Sequence, residues 1–108
     1  MNLATEIFGE VIVVHAPDEL GEDHSDGLVA YLTSLVRNNV VLDIDSTEMI
    51  DSKGLESLLL TQRGLREEGG EIKISTTNPV NRKILEITRL DEELEVYESV
   101  LEAARSFV

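Results

Sequence analysis

The segment Ile50-Asp51-Ser52-Lys53-Gly54 is the part of this 108-residue chain best equipped for chemistry. It follows a strand-like run, Val40 to Ile44, and leads into Leu55, Leu58, Leu59, Gln62 and Leu65, a stripe at helical spacing. A junction of this kind brings a side-chain oxygen to a helix N-terminus, where backbone amides lack partners. Two uses of that oxygen stay open and are compatible. Asp51 or Ser52 caps the helix, or the Ser52 hydroxyl accepts a phosphoryl group, whose roughly -1.5 to -2 charge a helix N-terminus accommodates.

Other chemistries lack their parts. A nucleophile elbow needs Gly-x-Ser-x-Gly, and here the first glycine is an isoleucine, Ile50. No phosphate-cradling glycine loop opens a helix, because Gly69-Gly70 follows one, so no nucleotide or other cofactor is expected. His15 and His24 are the two imidazoles and read as surface residues. With no cysteine, thiol catalysis, zinc knuckles and disulfides are excluded. Asp43, Asp45 and Asp51 surround the end of one strand and could form an acidic magnesium pocket. A receiver domain would add an acidic pair after its first strand and a late lysine, and neither has a clear counterpart. A small-ligand or metal module built on Asp43 and Asp51 is kept as an alternative, and no enzyme activity is expected.

Charge narrows the partners. Nine Lys plus Arg stand against 22 Asp plus Glu, a formal -13, which repels phosphate backbones and anionic lipid. Nucleic acid and membrane surfaces are therefore not expected. Residues 1–51 carry 11 acids against one base, Arg37, while residues 52–108 carry 11 acids against eight bases. The acidic half is either a solvated surface or a face kept for a basic partner. Met1 to Glu10 has no basic residue to start a secretory signal, and no apolar run approaches the ~20 residues of a membrane span, so a cytoplasmic protein without membrane insertion is expected.

The elements that position Ser52 follow from periodicity. Leu3 to Phe8 and Val11 to Val14 read as a hairpin turning at Gly9-Glu10. Pro17 to Gly27 is polar and turn-rich. Leu28, Leu32, Leu35 and Val36 mark a helix running into Arg37-Asn38-Asn39. Val40 to Ile44, near-continuously apolar, is expected in the middle of the sheet. After the helix of Leu55 to Leu65, Glu71 to Thr76 alternates as a strand, and Asn78-Pro79 opens a helix with Val80, Ile84 and Ile87 inward. A short strand at Leu94 to Tyr97 and a last helix from Ser99, with Val100, Leu101, Ala104 and Phe107 inward, end the chain. The order ββαβαβαβα predicts one α/β domain over residues 1–108, a small mixed and mostly parallel β-sheet with helices packed on it.

Four segments together resemble the STAS domain of bacterial anti-sigma factor antagonists. They are Val40-Val41-Leu42-Asp43-Ile44, Met49-Ile50-Asp51-Ser52-Lys53-Gly54-Leu55, Gly69-Gly70 before a strand, and Asn78-Pro79-Val80 opening a helix. The resemblance runs from about Val11 to the C-terminus. It implies that Ser52 is the phosphoacceptor, that Asp51, Lys53 and Gly54 frame it, and that Asp18, Glu19 and Asp43 belong to the partner-binding face. The implied partner is an anti-sigma factor that is also a serine kinase and binds its own ATP. The unphosphorylated form would bind that kinase and free the sigma factor, and phosphorylation would release it. Two positions depart from the family pattern: Lys53 stands where many members carry a second small residue, and Ala16-Pro17-Asp18-Glu19-Leu20 matches the family's turn only loosely. STAS-like domains also serve transporters and stress-signalling complexes with no sigma factor, which is the other role the resemblance leaves open.

Overall fold

The computed structural model describes residues 1–107, so Val108, included in the expected single domain, lies outside the described residues. Strands β1 (Thr5–Phe8), β2 (Val11–His15), β4 (Asn39–Asp43), β6 (Glu71–Ser75) and β7 (Val96–Tyr97) form one sheet in the order β1-β2-β4-β6-β7. The β1–β2 hairpin is antiparallel and every other pairing is parallel, as expected. The apolar run read as a central strand is β4, the third of five.

Alternation along the strands divides the core in two. Ile12, Val14, Val40, Leu42, Ile72 and Ile74 face α1 (Ser25–Thr33), α2 (Ser52–Glu67) and α3 (Pro79–Ile87), meeting Leu28, Leu32, Leu58, Leu65 and Leu85. Val11, Val13 and Val41 point the other way, toward Ala103 and Ala104 of α4 (Val100–Arg105). Three helices thus cover one face and a single short helix covers the other. Gly69, in the left-handed region at φ 81°, lets α2 end in a Schellman turn, with Gly70 N–H donating to the Leu65 carbonyl at 2.8 Å.

The structure also holds elements that periodicity did not announce. Two-residue strands β3 (Glu19–Leu20) and β5 (Met49–Ile50) pair in parallel outside the main sheet. A single 3-10 turn, Leu90–Glu92, precedes β7.

Three helix expectations are corrected. Helix α1 stops at Thr33 instead of running through Val36, which is exposed; the hydroxyls of Thr33 and Ser34 turn back onto the carbonyls of Val29 and Tyr31 and compete with further helix. On α3 the buried residues are Asn81 and Leu85, while Val80 and Ile87 face solvent at 64% and 69% exposure and Ile84 is half-buried. The face turned inward is the one that lets the Asn81 amide bond carbonyls beneath the helix. On α4, Ala103 and Ala104 are buried and Leu101 is half-exposed, because the helix sits close over the sheet on its small residues.

Candidate functional site

Ser52 is reached through a loop that is fixed at each step. After β4, Thr47 N–H donates to the Ile44 carbonyl at 3.1 Å, and the buried Thr47 hydroxyl donates to the Pro17 carbonyl at 2.8 Å. Glu48 and Met49 N–H then both donate to the Asp18 carbonyl, at 2.7 and 3.2 Å, and Asp51 N–H donates to the Leu20 carbonyl at 3.1 Å. The β3–β5 pair and these bonds therefore place Asp18 and Glu19, both exposed, beside Glu48 and Met49 on the segment that leads into α2.

Asp51, and not Ser52, caps α2. Its Oδ1 accepts from Gly54 N–H at 2.9 Å, and its Oδ2 accepts from Glu22 N–H at 3.2 Å, so one carboxylate joins the helix start to the acidic loop. The Gly54 amide is the main cause holding the Asp51 carboxyl below its usual range, with the Glu22 amide and the nearby Lys53 adding to it. Gly54 itself must be glycine, since a Cβ there would lie 2.0 Å from the Leu20 carbonyl oxygen.

Ser52 is left free by this arrangement. It is the first residue of α2 and exposed, and its hydroxyl makes no hydrogen bond among the described residues. Lys53, also exposed, lies 3.6 Å from Glu56 one turn on. Glu22, Ser25, Asp26, Lys53 and Glu56 line a groove of about 220 Å³ between the starts of α1 and α2. The result is an exposed hydroxyl at a helix N-terminus, bordered by a mostly acidic surface with a single ammonium.

Asp43 is not part of this site. It shares the strand parity of Val41, on the α4 side of the sheet, whereas Asp51 caps α2 on the other side. Asp43 Oδ2 meets His15 Nδ1 at 2.8 Å and its Oδ1 accepts from Asp45 N–H at 3.0 Å, while Asp45 takes the N–H and hydroxyl of Thr77. The carboxylates considered for magnesium thus have partners of their own, Asp43 and Asp45 around the turn after β4 and Asp51 at the start of α2. Among the described residues no three His, Asp or Glu side chains are grouped to hold a metal ion.

His15 is more engaged than a plain surface histidine. Its Nε2 lies 2.7 Å from Glu6, opposite the contact with Asp43, and its pKa is raised above 6.5, chiefly by Glu6 and then by Asp43, against partial desolvation. The sequence reading also missed Asn81. Its buried Nδ2 donates to the carbonyls of Ile44 and Thr47, at 3.0 and 2.9 Å, at the two ends of the turn leading to Ser52. The available signal was its spacing: Asn81 and Leu85 are one turn apart, about 110° round the helix from Val80, Ile84 and Ile87.

Comparison with known proteins places this geometry. The profile described as the STAS domain matches residues 2–103. A Paenibacillus polymyxa protein named anti-sigma F factor antagonist is 24% identical over 109 residues, covering 95% of this chain and 93% of that one. Among solved structures, an anti-sigma factor antagonist from Mycobacterium paratuberculosis superposes with a TM-score of 0.83 at 23% identity, covering 97% and 92% of the two chains. The phosphorylated form of the Bacillus cell fate determinant SpoIIAA gives 0.71 at 17%, covering 99% and 100%. A sulfate transporter family protein from Wolinella succinogenes gives 0.79 at 16%, covering 91% and 84%. At these identities the solved structures establish the fold. Among the described residues no helix is long and apolar enough to cross a membrane.

Proposed function

The chain belongs to the STAS domain family, and from that premise we propose that it is an anti-sigma factor antagonist, a binding switch controlled by phosphorylation of Ser52. The observation that carries this reading is the division of labour at the α2 start. Asp51 supplies the cap, so the exposed Ser52 hydroxyl holds nothing in the fold and can be modified without removing a structural bond. The chain itself is not an enzyme and acts in the cytoplasm; the phosphoryl group comes from ATP bound by the partner kinase.

In the unmodified state the face formed by Ser52, Asp18, Glu19 and the Glu22–Asp26 acids docks on a basic surface of the anti-sigma factor and frees the sigma factor. Phosphorylation adds a dianion at the centre of that contact. The helix N-terminus tolerates it within the chain, but the complex must desolvate it beside existing acids. A loss of about 4 kcal/mol corresponds to roughly a thousandfold in affinity. Titration of the anti-sigma factor with wild type, Ser52→Ala and Ser52→Asp tests this. Wild type and Ser52→Ala should bind alike, and Ser52→Asp at least about tenfold more weakly. Equal binding of all three would overturn the switch.

The likeness to the Wolinella transporter family structure supports a second reading, a STAS module serving a transporter or stress-signalling complex. Equal binding of Ser52→Asp to an ATPase or transporter partner would favour it.

A further inference from the structure

We propose that Asn81 is a positioning residue for Ser52, a strut through which α3 sets where the start of α2 is presented. The inference rests on the reading of Ser52 as the modified residue. The Met49–Ile50 strand that delivers Asp51 and Ser52 pairs with only two residues of β3, and so short a ladder has little stability alone. Its support comes from the preceding turn. There, one buried side-chain amide donates both its protons, one to the Ile44 carbonyl at 3.0 Å and the other to the Thr47 carbonyl at 2.9 Å.

The mount for this strut is rigid. Pro79 and the Asn78 side-chain Oδ1, which accepts from Val80 and Asn81 N–H at 2.9 and 3.4 Å, fix the first turn of α3. Asn78 N–H in turn donates to the Thr76 hydroxyl at 3.0 Å, at the end of the sheet. Thr47 carries the constraint onward, because its hydroxyl holds the Pro17 carbonyl beside β3. Both strands of the β3–β5 ladder are therefore entered from segments tied to the turn that Asn81 braces. Asn81 is 2% exposed, so water cannot readily replace its amide, and truncation would take the side-chain donor from the Thr47 carbonyl and leave the Ile44 carbonyl with the Thr47 N–H alone.

The test is amide hydrogen exchange read by NMR, with Leu85→Val as control, since Leu85 is buried on α3 but bonds no loop carbonyl. Exchange is compared at matched global stability. Asn81→Ala should speed exchange at Glu48, Met49 and Asp51 by on the order of tenfold relative to the control and shift the Ser52–Gly54 resonances. The milder Asn81→Ser should do so to a smaller extent. In wild type, through-bond couplings should link the Asn81 side-chain nitrogen to both carbonyls, an observation that needs no variant to fold. Loop exchange equal to the control, or absent couplings, would overturn the inference. If the loop loosens as expected while Ser52 is never phosphorylated in wild type, the reading of Ser52 fails and the strut stands. If Ser52 is phosphorylated, Asn81→Ala should slow that step more than Leu85→Val does.

Discussion

Gly54 and Leu20 meet backbone against backbone: the place a Cβ would occupy on Gly54 is 2.0 Å from the Leu20 carbonyl oxygen. That same carbonyl accepts the Asp51 amide at 3.1 Å, so the closeness of α2 to β3 and the placing of the cap are one feature. Gly54→Ala must force the two segments apart. It should destabilise the protein by about 1–3 kcal/mol or more and shift the amide resonances of Leu20, Gly21 and Asp51 to Leu55. Thermal unfolding and NMR check this, and an alanine variant with unchanged stability and spectrum would show that the packing is looser than described.

The corrected face of α3 gives a second test. Leu85→Ala should cost about 2–5 kcal/mol, whereas Val80→Ser and Ile87→Ser should each fall within about 0.5 kcal/mol of wild type. Denaturant unfolding of the three variants separates the two faces. Equal losses at all three positions would restore Val80 and Ile87 to the core.

His15 makes stability depend on pH in a defined direction. The imidazolium donates to Glu6 and Asp43 together, while the neutral ring can donate to only one of them. The folded pKa lies above the ordinary value of 6.5, so this contribution is fully present below about 6.5 and is lost as pH rises through the folded value. The side chain is 37% exposed and solvent screens the pair, so the effect is a modest slope. His15→Gln should flatten it, as measured by unfolding from pH 5 to 9. A slope unchanged by the substitution would assign it elsewhere.

Asp51 acts in the opposite sense. Its folded pKa is lowered from 3.8, mainly by the Gly54 amide, so its stabilisation is present above that unfolded value and lost as pH falls through the folded one. Asp51→Asn keeps an acceptor for Gly54 N–H and should remove this acid-side dependence while leaving α2 capped. Carbon-detected titration of the Asp51 carboxyl checks the direction. A value at or above the ordinary one would mean that the cap is not formed in solution.

What the sequence made legible follows from the range of the forces involved. Val40 to Ile44 announced a central strand because burial on both faces requires apolar residues throughout, and Asn78-Pro79 announced a helix start because capping is local. The same continuity concealed which face Asp43 takes; only its pairing beside His15 places it with Val41, away from Asp51. Strands β3 and β5 have no period to read, being two residues each and joined by backbone bonds across about thirty residues of chain. Asn81 defeated the apolar stripe of α3 because its amide bonds two carbonyls more than thirty residues away in the chain, which no pattern local to α3 encodes. The position of Ser52 was readable because strand, turn and helix adjoin it in sequence. Its freedom from the cap was not, since that depends on Asp51 bonding both Gly54 and Glu22.

The central claim is that Ser52 carries a phosphoryl group in one state of the switch. Intact-mass spectrometry of the protein recovered from its own cells, with fragmentation to locate any modification and Ser52→Ala measured alongside, tests it most directly. The account predicts the mass of one phosphoryl group at Ser52 in part of the population, absent from the alanine variant. A chain that is unmodified under every growth condition, or phosphorylated at another residue, would contradict it and leave Ser52 as an exposed first residue of α2.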